Sequence, residues 1–473
     1  MLSRLSVPVV LLLVVGVLLA GGSLAGSSAG TTRPAVAGAA GIGDPYFPED
    51  GNGGIDVRSY DVHDRYRFSD GRLTGWTTVR LHTTERLRSF DLDFLLPVSK
   101  VTLSTGGAGF DRPDRHELRI TPGHPIAAGT DLAVRLEYAG RPARLSWDGE
   151  SNWLASGHEV VAMNEPHMAP WWFPSNDHPL DKARFDLHLT VPRGKRVVSN
   201  GRQVGVRRTG DHATYHWAGG GPMATYLAFF AVGDFAVRRG TAHHLPYEVA
   251  VSRRLGAGAR RSAMRGLLRT PDIVAWLQSQ LGRYPFKVTG GLVTSLDPGF
   301  SLENQTRPTY PRGVSGSLMV HELAHQWFGD SVSVHHWRDV WLNEGFATFM
   351  EQLWTADHGG PSTRSWLQQT YGVWPQDSSF WKLIVADPGA AHLFAWPVYE
   401  RGGMTLAALR VRIGHDAFAR LLRHWTRAHR HGHGTTAQFE AMASRVGGVD
   451  LTSFFDAWVH SDTRPAHTAE NGL

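Results

Sequence analysis

Val320-His-Glu-Leu-Ala-His-Gln-Trp-Phe-Gly-Asp330 sets two histidines four residues apart, with a glutamate directly after the first. Residues at that spacing project from one face of an α-helix, so His321 and His325 can present ring nitrogens to one ion. Glu322 then stays close enough to work on a water bound beside them. The flanks predict a helix here: Ser315 or Ser317 can cap its start and Gly329 follows its last turn. The chain carries 25 histidines, which makes a chance pair easier, so the reading needs another ligand.

A tetrahedral catalytic zinc takes three protein ligands and leaves one position for water. Asp339 to Trp354, DVWLNEGFATFMEQLW, is a second helical pattern, and a loop through DSVSVHHWRD lets it fold back so that Glu344 meets the histidine pair. The expected site is His-His-Glu holding one Zn2+ per chain. No cysteine occurs, so a metal site here must use histidine and carboxylate. Glu351 lies seven residues beyond Glu344 on nearly the same helical face, where it either accepts a hydrogen bond from a ligand histidine or stands solvated. His335 and His336 read as surface polar residues of a loop. The tract HRHGHG, 429–434, reads as a solvated helix end.

The composition is that of a folded protein: 473 residues, 42% hydrophobic, with 48 Lys plus Arg against 43 Asp plus Glu. A net charge of +5 without a basic run gives no nucleic-acid footprint. Residues 1–25 read as a secretory signal peptide: Arg4, an apolar run from Val7 to Ala20, then the small residues Ser23-Leu24-Ala25. The run is short for a membrane span, so an exported protein without a stable span after cleavage is expected. Residues 26–43 read as a flexible tether.

From 44 to 245 the pattern is mostly short β-branched and aromatic runs bounded by turn residues, which predicts an antiparallel, sandwich-like domain. From 246 to 465 helical periodicity dominates, and 466–473 is a tail. The fold class expected is α+β.

HELAHQWFGD followed by WLNEGFATF resembles the zinc aminopeptidase family that includes aminopeptidase N and leukotriene-hydrolase-like enzymes. The likeness extends to GDPYFPEDGNGGIDVRSYDV, NEPHMAPWWFPSNDHPLDKARFDLHLTVP, SLENQTRPTY and VYERGGMTL, in the family's order along nearly the whole chain after the signal. It implies a saddle-like β domain followed by a thermolysin-like catalytic domain. It also implies that His321, His325 and Glu344 hold zinc and Glu322 is the general base. Tyr399 matches the family's tyrosine that hydrogen-bonds the oxyanion. Glu303, in SLENQ, matches the glutamate that binds the substrate's free α-amine, and Glu165 a second amine-binding position.

The substrates so implied are peptides with a free N-terminus. Phe300 stands where the family motif has glycine. The rival readings are an endopeptidase or bifunctional hydrolase of the same family, and an inactive homologue serving as a surface binding module.

Overall fold

The structure, a computed structural model, describes residues 34–473. The expected signal peptide, and the expected tether as far as residue 33, lie outside the described residues.

An eleven-stranded sheet dominates the first half. Arg72–Thr83 pairs antiparallel with Ile55–Arg67 on one side and Asp131–Gly140 on the other. The sheet is antiparallel except where Arg184–Pro192 runs parallel to Ile55–Arg67, and Val36–Ala37 to Leu87–Asp93. Alternation along Ile55–Arg67 turns Ile55, Val57, Tyr60, Val62 and Tyr66 into the core. A bulge between Val57 and Ser59 absorbs one residue, so Val57 and Tyr60 both face inward.

A second sheet of four strands takes the order Arg196–Ser199, Phe230–Gly233, Val160–Ala162, Trp153–Ala155. A third joins Phe235–Ala242, Leu245–Ser252, Thr289–Thr294 and Thr309–Pro311, the last three in parallel. Glu159 ties the second sheet to the third, accepting from the Ser295 amide at 3.0 Å and the Thr294 hydroxyl at 2.5 Å.

The second half is helical: α1 (Ala257–Leu267), α2 (Thr270–Leu281), α3 (Gly316–Ala324), α4 (Trp341–Asp357), α5 (Thr363–Val373), α6 (Trp396–Ile413), α7 (His415–Ala428) and α8 (Thr436–Gly447). A β-rich part followed by a helical part is the α+β order the residue patterns predict. Residues 35–473 form a single unit. No helix among the described residues is long and apolar enough to cross a membrane.

Several details depart from expectation. Residues 36–43 belong to the fold and not to a free tether: the amides of Val36 and Gly38 bond the carbonyls of Arg86 and Ser89, each at 2.9 Å. Such pairing uses backbone groups alone, so small residues suffice. The division expected at 245/246 passes through a hairpin, since Phe235–Ala242 pairs with Leu245–Ser252 along its whole length. The tail is docked, with Trp458 Nε1 donating to the Asn471 carbonyl at 3.0 Å.

The histidine tract is not a solvated helix end. Helix α7 stops at Ala428, and His433–Gly434 pairs in parallel with Ser333–Val334. His433 Nε2 lies 3.1 Å from the Pro179 carbonyl.

Candidate metal centre and its cavity

Ser315 caps α3, accepting from the Leu318 amide at 3.3 Å. This leaves His321 in the last turn and His325 as the C-cap, with both rings on the face turned toward α4. Glu344 sits in the first turn of α4, and its Oε2 lies 3.2 Å from His321 Nε2 and 3.4 Å from His325 Nε2. The distal ring nitrogens are committed: His321 Nδ1 is 2.7 Å from Glu351 Oε1, and His325 Nδ1 is 3.0 Å from the Phe328 carbonyl. A proton on each Nδ1 leaves each Nε2 lone pair free to face Glu344. These three residues can hold a metal ion, and two imidazoles with one carboxylate suit zinc.

One cavity of about 450 Å³ is lined by His321, His325, Glu344, Glu322, Glu351, Glu303, Glu165 and Tyr399. The site residues read from the sequence therefore share one space, although they come from five separate stretches of chain. Glu165 follows the strand Val160–Ala162. Glu303 lies in the excursion between Thr289–Thr294 and Thr309–Pro311, fixed by reciprocal backbone bonds between Leu302 and Thr309 at 3.0 and 2.8 Å. Tyr399 is on the first turns of α6, its ring 6.0 Å from that of His321 and inclined by 21°. His335 and His336 do not line this cavity. His336 instead approaches Asp44, with Nδ1 3.7 Å from Oδ2.

The glutamates outnumber the histidines, and the imbalance shapes every ionisation. Burial alone would raise Glu344, but His325 and His321 pull it down to about 2. Burial also disfavours charge on His325, yet Glu344 and Glu303 hold it up at about 9. Glu322 is pushed up to about 8, chiefly by burial. Glu303 and Glu165 are raised as well, by burial first and then by neighbouring carboxylates. A cavity with this surplus of buried acid favours cations.

Several positioning residues were not foreseen. Gln326 Nε2 donates to the Glu303 carbonyl at 2.9 Å while its Oε1 accepts from the Thr306 amide at 2.6 Å, clamping the Glu303 segment against the end of α3. The Tyr226 hydroxyl reaches Glu303 Oε1 at 3.4 Å. Lys182 Nζ donates to the carbonyls of Asp330 and Ser331 at 2.7 and 3.0 Å, pinning the turn after His325. The adjacency of Gln326 to His325 was the available signal for the first; the others lie too far off in sequence to give one. Phe300, Phe394 and Trp396 line the cavity yet remain 38%, 38% and 59% exposed. They give it an aromatic rim.

A model of the Peptidase family M1 domain matches residues 291–458 and one of the Peptidase M1 N-terminal domain matches residues 110–227, together more than half of the chain. Similar proteins include a leucyl aminopeptidase of Saccharolobus solfataricus, 24% identical over 87% of this chain and 54% of its own length. Aminopeptidase N of Lactococcus lactis subsp. lactis is 25% identical over 72% of this chain and 44% of its own. The chain spans about half the length of the curated relatives it matches. A crystal structure of a mutant M1 zinc metallopeptidase from Deinococcus radiodurans, bound to a Tyr-Ser-Ala substrate, superposes with a TM-score of 0.81. That match has 26% identity and covers 90% of this chain and 99% of that one.

Proposed function

The chain belongs to the M1 peptidase family, and on that premise we propose that it is an exported zinc aminopeptidase that removes the first residue of peptides. The observation that carries this reading is the presence of Glu303 and Glu165 in the same cavity as the His321–His325–Glu344 cluster. Neither belongs to that cluster; Glu303 is buried and Glu165 half-buried with its Oε1 shielded from solvent, and both carboxyls resist ionisation. An ammonium group placed between them relieves that cost, and only the first residue of a peptide brings one.

His321, His325 and Glu344 hold the zinc. When bound, the ion polarises the scissile carbonyl and activates water for attack. Glu322 takes a proton from the attacking water and returns it to the leaving amine, a task that fits a carboxylate whose affinity for protons is raised by burial. Tyr399 keeps its proton, burial and the surrounding glutamates holding its pKa well above the ordinary value, and donates it as a hydrogen bond to the developing oxyanion. Glu351 fixes the orientation of His321 through Nδ1. Glu303 and Glu165 hold the substrate's amine, so the bond at the reacting centre is the first peptide bond. The apolar run before Ala25 supports export.

The experiment is removal and return of metal. Hydrolysis of an aminoacyl anilide disappears when zinc is stripped by a chelator and returns with zinc in proportion to the cluster refilled. Activity that survives complete removal of metal contradicts the proposal.

A further inference from the structure

Away from the cavity, the large sheet carries two further groups of metal-type ligands, the half-buried Asp61, His63 and His188 and a fully buried one. Asp93, at the end of Leu87–Asp93, and Glu117, at the start of Glu117–Pro122, are direct cross-strand partners. Two carboxylates opposite each other on one sheet repel, and here Asp93 is 0%, Glu117 1% and the neighbouring His116 1% exposed. His116 Nδ1 lies 3.6 Å from Asp93 Oδ1 and 3.5 Å from Glu117 Oε1. Neither ring nitrogen of His116 has a hydrogen-bond partner among the described residues, while the Glu117 carboxyl meets that of Asp93. Buried polar groups are nearly always satisfied, so these unpaired atoms need a ligand of some kind.

Their spacing says which kind. Atoms bound about 2.1 Å from a shared ion at tetrahedral angles stand about 3.4 Å apart. The His321–Glu344 and His325–Glu344 separations, 3.2 and 3.4 Å, follow that rule, and the two separations made by His116 come close to it. One ligand atom from each of Asp93, His116 and Glu117 lies within 4.8 Å of the others. The surroundings fix the donors. Asn52 Nδ2 and the Asp177 amide bond Asp93 at 3.2 and 2.5 Å, and the Trp147 indole stacks on the His116 ring at 3.9 Å and 7°.

We propose that Asp93, His116 and Glu117 form a second metal site, structural in role, for a first-row divalent ion of the zinc class. The imidazole selects against calcium and magnesium, which take oxygen ligands. The ion would cross-link two strands through their side chains and cancel the carboxylate repulsion. Full burial keeps it out of reach of substrate.

Metal content per chain tests this, on protein made with zinc present and dialysed against metal-free buffer. Wild-type protein should carry about two ions, and the His325→Ala variant, with the catalytic cluster broken, about one. The His116→Ala variant should lose one ion and melt at a lower temperature. A His325→Ala protein without metal overturns the proposal, and so does a single wild-type ion that His116→Ala leaves in place; Asp93 and Glu117 would then share a proton. If His116→Ala does not fold, Glu117→Gln takes its place, and it too should lose one ion relative to wild type; an unchanged ion count overturns the proposal. Failure of the catalytic reading is distinct: there, His325→Ala would lose no ion relative to wild type.

Discussion

Gly345 of α4 and Gly402 of α6 meet backbone to backbone: a Cβ on Gly345 would stand 2.8 Å from the Gly402 carbonyl carbon, and one on Gly402 would stand 2.9 Å from the Gly345 Cα. Glu344 directly precedes the first glycine, and Tyr399 lies about one turn before the second. The helix crossing therefore sets the distance between a candidate zinc ligand and the candidate oxyanion donor.

Gly402→Ala should force the helices apart at that crossing. The expected cost is about 1–3 kcal/mol of stability, as for overpacked cores, with a fall in kcat measured under conditions where the variant is fully folded. Denaturant unfolding and steady-state kinetics check both, and unchanged values would mean the crossing has slack.

Glu351→Ala should weaken zinc binding by about 10- to 100-fold, the usual effect of removing a carboxylate that orients a ligand histidine. Competition with a chelator of known affinity measures it. Zinc retention equal to wild type would reduce the 2.7 Å contact with His321 to a surface feature.

Tyr399→Phe removes one hydroxyl and should lower kcat by about 10²–10³-fold while zinc content stays normal. A variant with wild-type kcat would place the oxyanion donor elsewhere.

Asp44 predicts how stability responds to acid. Burial opposes its charge, but hydrogen bonds from His178 and from the Trp337 and Tyr46 amides hold its pKa at about 2 against an ordinary 3.8. Between those values the unfolded chain binds the extra proton, so stability rises with pH there. Asp44 therefore contributes fully above about pH 4, and the contribution is lost as pH falls toward about 2. Asp44→Asn should be less stable than wild type at neutral pH, with a gap that narrows across that window. Thermal unfolding at several pH values measures the gap, and one that does not change would contradict the assignment.

What the sequence disclosed follows from the range of each interaction. His321 and His325 were legible because helical spacing puts them on one face, and Glu344 because a second helix with a short return loop had few other places to go. Tyr399, Glu303 and Glu165 lie on separate segments, and no periodicity brings them to the zinc cluster; a family resemblance alone pointed to them. The α+β order was legible from alternation giving way to helical spacing. The pairing of Val36–Ala37 and of His433–Gly434 was not, because two-residue strands bond through backbone groups that every sequence has. The Asp93–Glu117 pairing was hidden for a related reason: cross-strand register creates it. Gly345 and Gly402 could be read as glycines but not as partners, since only the helix crossing makes them neighbours.

The central claim is that Glu303 and Glu165 read a free α-amine. Its most direct test is kcat/KM for a short peptide and for the same peptide N-acetylated, with wild-type and Glu303→Gln proteins of equal zinc content. Wild type should cleave the free peptide at its first bond and leave the acetylated one almost untouched. Glu303→Gln should lose on the order of 3 kcal/mol, about 100-fold, on the free peptide alone. Equal turnover of the free and acetylated peptides by wild-type protein would contradict the account.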